Sequence, residues 1–89
     1  MKELSIIIVT YNSETDIYDC LYSVYQHNDI GDALEVIIVD NQSTHYDIMR
    51  DDILKRYPQV TIVQNTHNGG YGQGNNVGIC MAQAPVVAI

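Results

Sequence analysis

The 89-residue chain contains no Trp and no Phe, and it has only two Pro and two Cys. Positive charge is also scarce, because four Lys and Arg stand against eleven Asp and Glu and leave a formal net charge of −7. A nucleic-acid-binding protein needs a basic face, and this composition excludes one. The same lack of cations disfavours an acidic partner.

Long hydrophobic runs are missing as well. No stretch approaches the roughly 20 apolar residues of a membrane-spanning helix, and the N-terminus does not resemble a cleavable signal. Cys20 and Cys80 fall inside predicted helices, where we expect small buried side chains of a reduced protein. The predicted location is therefore the cytoplasm, with any attachment to the inner face of the membrane made by parts outside this chain.

The chain does contain a regular alternation of apolar runs and amphipathic segments. Apolar runs predict buried strands, and apolar residues at three- and four-residue steps predict helices. We predict strands at 4–9, 35–39, 60–63 and 86–89, and helices at about 13–27, 46–57 and 74–84. This order predicts an α/β fold with three layers, in which right-handed, Rossmann-like βαβ units build a parallel sheet of about four strands.

The second strand is the most informative segment, because its apolar run ends abruptly in polar residues (VIIVDNQST, 36–44). Ligands of open α/β sheets bind past the carboxyl ends of the strands, which is where Asp40 falls. Tyr11, after the first strand, falls at the same edge. An aromatic ring can pack on a base and a carboxylate can accept hydrogen bonds from a nucleoside, so the pair favours a nucleoside site. Either residue alone is as readily an ordinary strand-end or capping residue.

A polar, glycine-rich loop follows the third strand and contains NGGYGQGNNVG at 68–78. Glycines let the backbone approach a ligand or adopt positive φ, and such a loop at a helix N-terminus can hold an anion. The spacing is close to a dinucleotide fingerprint, but that motif belongs after the first strand. The first turn here is TYNSE, without glycine, which disfavours a Rossmann-type oxidoreductase. The alternative for the glycines is helix–strand packing.

Three segments in register carry a family resemblance: IIIVTYN at 6–12 with CLYSV at 20–24, VIIVDNQST at 36–44, and NGGYGQGNNVGI at 68–79. Over nearly its whole length the chain resembles the inverting nucleotide-sugar glycosyltransferases of the GT-A type, family 2. The resemblance implies the nucleotide-binding half of a GT-A fold. It places at the donor nucleotide Thr10, Tyr11, Asn12, Asp40, Asn41, Ser43, Asn68, Gly72, Asn75 and Asn76.

Within that set the resemblance assigns different roles. Thr10, Tyr11 and Asp40 would hold the nucleoside, while Asn41 and Ser43 would shape the same turn. The remaining asparagines and Gly72 of the glycine loop would line the donor site beside it.

The resemblance also indicates what this chain does not contain. Family members carry an Asp-x-Asp-type metal motif after the fourth strand and a catalytic base later, so we expect no catalytic residue and no metal ligand within these 89 residues. We predict that residues 1–89 form a single partial domain, the N-terminal part of a longer protein. A divalent metal, Mg²⁺ or Mn²⁺, would be held beyond Ile89.

We do not expect the other acidic residues or the histidines to bind a metal. Asp51 and Asp52 lie within the second predicted helix, where a solvated face is expected. The spacing typical of metal ligands is not found among the three histidines, His27, His45 and His67.

The intact protein is expected to transfer a sugar from a UDP- or dTDP-type donor to a saccharide or lipid-linked acceptor with inversion, as in polysaccharide biosynthesis. The alternative is a non-catalytic α/β nucleotide-binding module. No Lys or Arg lies in the three polar turns. Two unit charges about 4 Å apart interact by roughly 4 kcal/mol at a dielectric of 20. Without such a cation, we expect this chain alone to bind nucleotide weakly or not at all. Because the resemblance places the metal motif and the catalytic base outside it, we also expect this chain alone to be inactive.

The resemblance further implies the strand order 3-2-1-4, which leaves the fourth strand at an edge of the four-stranded sheet. An exposed apolar edge strand invites pairing with another chain. We therefore predict self-association, as a dimer or a higher assembly, through Val86–Ile89, or an exposed apolar surface that lowers solubility.

Overall fold

The computed structural model describes all 89 residues, with four strands and three α-helices. The strands are β1 (Leu4–Thr10), β2 (Leu34–Asp40), β3 (Thr61–Gln64) and β4 (Val86–Ala88). The helices are α1 (Asp16–Gln26), α2 (Tyr46–Arg56) and α3 (Gly70–Met81), and a 3-10 turn covers Gly31–Ala33. The sheet order is β3-β2-β1-β4 and every neighbouring pair is parallel. The predicted α/β fold and strand order are confirmed.

The core lies on both faces of β2, whose seven residues are all buried. On one face α1 and α2 contribute Ile17, Leu21 and Ile53, which pack with Val36 and Ile38. Each such side chain stabilises the fold by about 1.5–3 kcal/mol relative to an exposed one. On the other face Ile37 and Val39 pack with residues of β1 and α3. These three layers hold the carboxyl ends of the strands at one common edge.

Helix α3 begins four residues earlier than predicted, at Gly70 rather than Gly74. Glycine has the lowest helix propensity after proline, so the sequence indicates a loop over these residues. Tertiary packing overrides that preference, because Gly74 and Gly78 are buried against β1. The glycine segment is therefore largely helical.

The first helix begins at Asp16, three residues later than predicted. Ser13 does not cap it, because its hydroxyl donates to the carbonyl of Tyr11 at 3.0 Å and accepts from the Tyr11 N–H at 3.2 Å. The Ser13 hydroxyl closes the turn after β1.

Two expectations about side-chain burial are wrong. Cys20 and Cys80 are exposed rather than buried, because Ile17 and Leu21 form the buried stripe of α1 and Gly74 and Gly78 form that of α3. In α2 the sequence predicts an apolar face of Ile48, Ile53 and Leu54, but Ile48 is 72% exposed and Leu54 is exposed as well. Its buried residues are Tyr46, Met49 and Ile53, at steps of three and four residues.

Asp52 was expected to lie on a solvated face, but its carboxylate contacts two side chains. Its carboxylate accepts a 2.5 Å hydrogen bond from the Tyr18 hydroxyl and lies 3.4 Å from the guanidinium of Arg56. The Arg56 guanidinium stands 4.5 Å from the centre of the Tyr18 ring. Burial and the neighbouring Asp52 raise the pKa of Tyr18 to about 12. These three side chains join α1 to α2, whereas Asp51 is exposed as expected.

A buried polar group fixes the connection from α3 to β4. Glu35 accepts hydrogen bonds from the Ser5 hydroxyl at 2.6 Å and from the Gln83 N–H at 2.9 Å. Glu35 and Ser5 are both buried, so the carboxylate is satisfied by the chain itself. None of the three helices has both the length and the hydrophobicity needed to cross a membrane.

Helix α3 lies unusually close to β1 because two of its glycines face the strand. A β-carbon at Gly78 would lie 2.3 Å from Cγ2 of Ile7, and one at Gly74 would lie 2.9 Å from Cγ1 of Val9. No atom lies within 4 Å of the corresponding position at Gly72. The packing alternative therefore accounts for Gly74 and Gly78 but not for Gly72.

Candidate functional site

Three polar turns meet at the carboxyl edge of the sheet, and a buried carboxylate lies between the first two. Asp40 is 0% exposed. It accepts hydrogen bonds from the Thr10 hydroxyl at 2.7 Å, the Ser43 N–H at 2.8 Å and the Ser43 hydroxyl. The Gln64 amide makes a longer contact of 3.5 Å. Both oxygens of Asp40 are thus occupied by donors of this chain.

The turns after β1 and β2 are tied directly to each other. The Asn12 N–H donates to the Ser43 hydroxyl at 2.7 Å, and the Asn12 side-chain oxygen accepts from the Thr44 N–H at 2.9 Å. The Asn41 N–H donates to the Thr10 carbonyl at 2.8 Å. Asn12 has a φ of 48°, in the left-handed region that Asn tolerates better than most residues. The two turns therefore form one rigid surface.

Asn41 joins these turns to the third. Its side-chain nitrogen donates to the Gly70 carbonyl at 2.9 Å, and its side-chain oxygen accepts from the Asn65 amide at 3.0 Å. The Asn65 amide also donates to the side chain of Gln73, and its N–H donates to the Asp40 carbonyl at 2.7 Å. Asn41 and Asn65 are buried. A network of amides thus positions the first turn of α3.

The predicted site residues divide into two groups. Thr10, Asp40, Asn41 and Ser43 are buried within the network, and Asn75 is half-buried. The exposed members at or near the edge are Tyr11, Asn12, Asn68, Gly72 and Asn76.

Four residues of the network were not among the predicted site residues, and these are Gln42, Gln64, Asn65 and Gln73. Asn65 had a usable signal, because it directly follows β3 as Asn41 follows Asp40 at the end of β2. Gln73 had none, because it was expected in a loop and its contact depends on the early start of α3.

The three turns contain no Lys or Arg, and two of the segments at this edge each present one aromatic ring. Tyr11 is 49% exposed after β1, and Tyr71 is exposed in the first turn of α3. That first turn contains no acidic residue, and the side-chain oxygen that accepts from its Gly70 N–H belongs to the uncharged Asn68, so no side-chain charge neutralises the partial positive charge of the helix N-terminus. Beside the β2 turn, a cavity of about 300 Å³ is lined by Ser43, Thr44, His45, Tyr46, Asp47, Ile48 and Gln64.

The residues at this edge do not fit a divalent cation. No group of three or more His, Cys, Asp or Glu side chains is arranged to hold a metal ion. Asp40, the carboxylate within the network, is already occupied by hydrogen-bond donors. We therefore derive no chemical step through a metal in this chain.

Comparison with known proteins identifies close similarity over nearly the whole chain. Residues 5–89 match the family model described as glycosyl transferase family 2. The poly(ribitol-phosphate) beta-glucosyltransferase of Bacillus spizizenii is 34% identical over 90 residues, which cover 96% of this chain and 14% of that protein.

Two solved structures share the fold. A mannosyltransferase from Pyrobaculum calidifontis, in complex with GDP-Man and Mn²⁺, has a TM-score of 0.85 and 26% identity. S. aureus TarS 1-349 has a TM-score of 0.80 and 30% identity, and it has also been solved with UDP and with UDP-GlcNAc. Both comparisons cover 96% of this chain and 26% of the other.

These matches confirm the predicted GT-A type of fold and the predicted family. The family model covers all but the first four residues, and the solved structures superpose on the sheet and helices described above. The chain spans only a small part of each relative's length, so the activity of a whole protein does not follow from the match alone. The chain belongs to glycosyl transferase family 2.

Proposed function

We propose that this chain forms the nucleoside-binding part of the donor site of an inverting glycosyltransferase. The observation that carries the proposal is the rigid edge formed by the turns after β1 and β2. Tyr11 is exposed on this edge. Its neighbours Thr10 and Asn12 are hydrogen-bonded to Asp40 and Ser43. A preorganised polar surface with one free aromatic ring suits a nucleoside, because the ring can stack on the base. Family membership favours this function over a non-catalytic nucleotide-binding module.

In this proposal Asp40 has two roles. Its buried carboxylate orders the Thr10 and Ser43 side chains, which orients the surface beneath the nucleoside. Direct contact between Asp40 and the nucleoside stays a prediction. The 3.5 Å contact with Gln64 is the longest of the four that Asp40 makes, and Gln64 is exposed. A base N–H could therefore replace that amide with little rearrangement.

The remaining residues of the proposed donor site lie in the glycine-rich segment at 68–78. We propose that Asn68, Gly72, Asn75 and Asn76 lie along the sugar and diphosphate, beside the first turn of α3. The first turn of a helix favours negative charge, which supports a phosphate at this end. Two solved relatives bind GDP-Man and UDP-GlcNAc, which supports a nucleotide-sugar donor. We propose a UDP- or dTDP-type donor and a saccharide or lipid-linked acceptor.

The Mn²⁺ in the mannosyltransferase complex supports a divalent metal, Mg²⁺ or Mn²⁺, in the intact enzyme. Because the residues here do not fit one, we propose that its ligands lie beyond Ile89. The cytoplasmic location stays a prediction.

Replacing Tyr11 with alanine is expected to weaken UDP binding by about fivefold or more. Stacking of a base on an aromatic side chain contributes about 1–3 kcal/mol, and 1.4 kcal/mol is a factor of ten in affinity. The starting affinity is expected to be weak, since no Lys or Arg lies in the three turns. NMR chemical-shift titration of the 89-residue chain with UDP in the absence of metal measures both quantities.

Tyr22→Ala is the matched control, because Tyr22 is also exposed but lies on α1. It is expected to leave the UDP affinity unchanged. Equal affinities of the Tyr11 and Tyr22 variants would contradict the proposed nucleoside site. Micromolar binding by the unmodified chain without metal would contradict the expected dependence on a cation.

We also propose that the chain self-associates through β4. Val86 is 58% exposed, Val87 and Ile89 are exposed as well, and β4 pairs with β1 on one side only. Residues 82–89 carry no charge, and charged side chains are the usual protection of an edge strand. Two copies of β4 can therefore pair as one continuous sheet.

Val86→Lys is expected to convert the self-associated chain to a monomer, because it places a charge in the paired edge. Multi-angle light scattering across a concentration series measures the mass of the species. Ile48→Lys is the control, since Ile48 is exposed on α2, away from β4. An unmodified chain that keeps the mass of one copy at high concentration would contradict the proposal.

A further inference from the structure

Gln42 adopts a backbone conformation that its residue type rarely takes. Its φ is 66°. Among the residues that are not glycine, Asn12 is the other one with a positive φ. Asn and Asp are enriched in the left-handed region, whereas a longer side chain such as Gln gains no local hydrogen bond there. Residues held in this conformation persist when the surrounding structure requires it, and they concentrate at functional sites. The conformation at Gln42 is therefore expected to be accompanied by contacts with the surrounding structure.

The side chain of Gln42 makes one such contact. Its amide donates to the backbone carbonyl of Asn65, which follows β3. The contact bridges the turn after β2 and the turn after β3, 23 residues apart in sequence. It is made from a residue that is itself exposed. The left-handed backbone is thus accompanied by a specific contact between two polar turns.

Asn65 transmits this contact to helix α3. The Asn65 side chain donates to Asn41 and to Gln73, and Asn41 in turn donates to the Gly70 carbonyl. Gly70 and Gln73 lie in the first turn of α3. The segment between Asn65 and Gly70 is exposed and has little packing of its own. Its position depends on hydrogen bonds of this kind.

We propose that Gln42 is a positioning residue that holds the segment between Asn65 and Gly70, and with it the first turn of α3, against the edge of the sheet. This role rests on the proposed function, in which that turn lies beside the donor diphosphate. Gln42 acts through Asn65 and touches no reacting group. The alternative is a turn residue whose side-chain contact has no effect beyond the stability of its own turn.

Gln42→Gly separates these two possibilities. Glycine adopts positive φ readily, so the substitution removes the conformational strain together with the amide. The positioning role predicts that the midpoint of urea unfolding does not fall, while the amides of Asn65 and Gly70 exchange with solvent on the order of tenfold faster, because local opening is independent of global unfolding. Both amides are hydrogen-bonded in the structure.

Two further variants test the amide donor itself. Gln42→Glu keeps the length but places an acceptor against the Asn65 carbonyl, and it is expected to accelerate exchange at the same two amides. Gln26→Glu is the matched control, because Gln26 is exposed on α1 and makes no side-chain hydrogen bond. It is expected to leave both amides unchanged. Native-state hydrogen exchange followed by NMR, with urea unfolding monitored by circular dichroism, provides the two readouts.

Unchanged exchange at Asn65 and Gly70 in Gln42→Gly would overturn the positioning role, and so would faster exchange accompanied by an equal loss of global stability. A UDP titration of the same variant then tests the link to the donor site, where loss of positioning predicts weaker binding. Faster exchange with unchanged UDP affinity would overturn that link. A failure of the proposed function itself is recognised separately, because Tyr11→Ala would then leave the UDP affinity unchanged as well.

Discussion

Gly78→Ala is expected to lower the free energy of unfolding by about 1–3 kcal/mol, which is the usual cost of overpacking a core. The new β-carbon would lie 2.3 Å from Cγ2 of Ile7, and Ile7 is buried between the sheet and α3. The helix must therefore move away from β1. Alanine is favoured over glycine in a helix by about 1 kcal/mol, so the expected loss appears in spite of a better helix former.

The same substitution at Gly72 is a control within the same helix. A β-carbon there meets no atom within 4 Å, so Gly72→Ala is expected to raise stability by up to about 1 kcal/mol. Urea unfolding followed by circular dichroism compares the two variants under identical conditions. If Gly78→Ala were at least as stable as Gly72→Ala, close helix–strand contact could not be the reason for the glycine at position 78.

Asp40→Ala is expected to destabilise the chain by about 3–5 kcal/mol. The substitution removes the acceptor of the Thr10 hydroxyl, the Ser43 N–H and the Ser43 hydroxyl. An unsatisfied buried polar group costs about 1–3 kcal/mol. Domains have a stability of roughly 0.05–0.15 kcal/mol per residue, so this chain is expected to lose much of its folded population.

Urea unfolding of Asp40→Ala and Asp40→Asn measures the effect. Asparagine keeps the shape and one acceptor oxygen but places an NH₂ against donors, so an intermediate loss is expected. Asp51→Ala is the control, because the Asp51 carboxylate is exposed on α2 and exposed substitutions usually change stability by less than about 0.5 kcal/mol. A loss below about 1 kcal/mol in Asp40→Ala would contradict the structural role assigned to this carboxylate.

The sequence predicted the strands of this fold well because their apolar runs are continuous and end in polar residues. β2 is the clearest example, since burial on both faces leaves a run of four aliphatic residues before Asp40. The start of α3 could not be predicted in the same way. Its helical state depends on contact between Gly74 and Val9, two residues far apart in the chain, and local propensity opposes it.

The strand-end residues of the candidate site lie at the carboxyl edge of the sheet, where their positions in the sequence predict them, but the hydrogen bonds among them were not foreseen. A strand-end carboxylate is expected to face a ligand, yet Asp40 is buried because Thr10 and Ser43 supply donors from both adjacent turns. Those contacts depend on the register between β1 and β2, which pairs Thr10 with Asp40. The roles of Asn65 and Gln42 depend in the same way on the register of β3, which pattern alone does not specify.

The spacing of the two buried glycines of α3 also sets the position of this helix along β1. Four residues of a helix advance by about 6 Å, and two residues of a strand advance by about 6.6 Å. Gly74 and Gly78 are therefore spaced to match Val9 and Ile7, which they contact. A shift of the helix by one residue would set Val77 or Ile79 against β1, where no β-carbon fits. This matched spacing fixes how far the helix N-terminus extends beyond the sheet, and so residues of the core would set the depth of the proposed donor site.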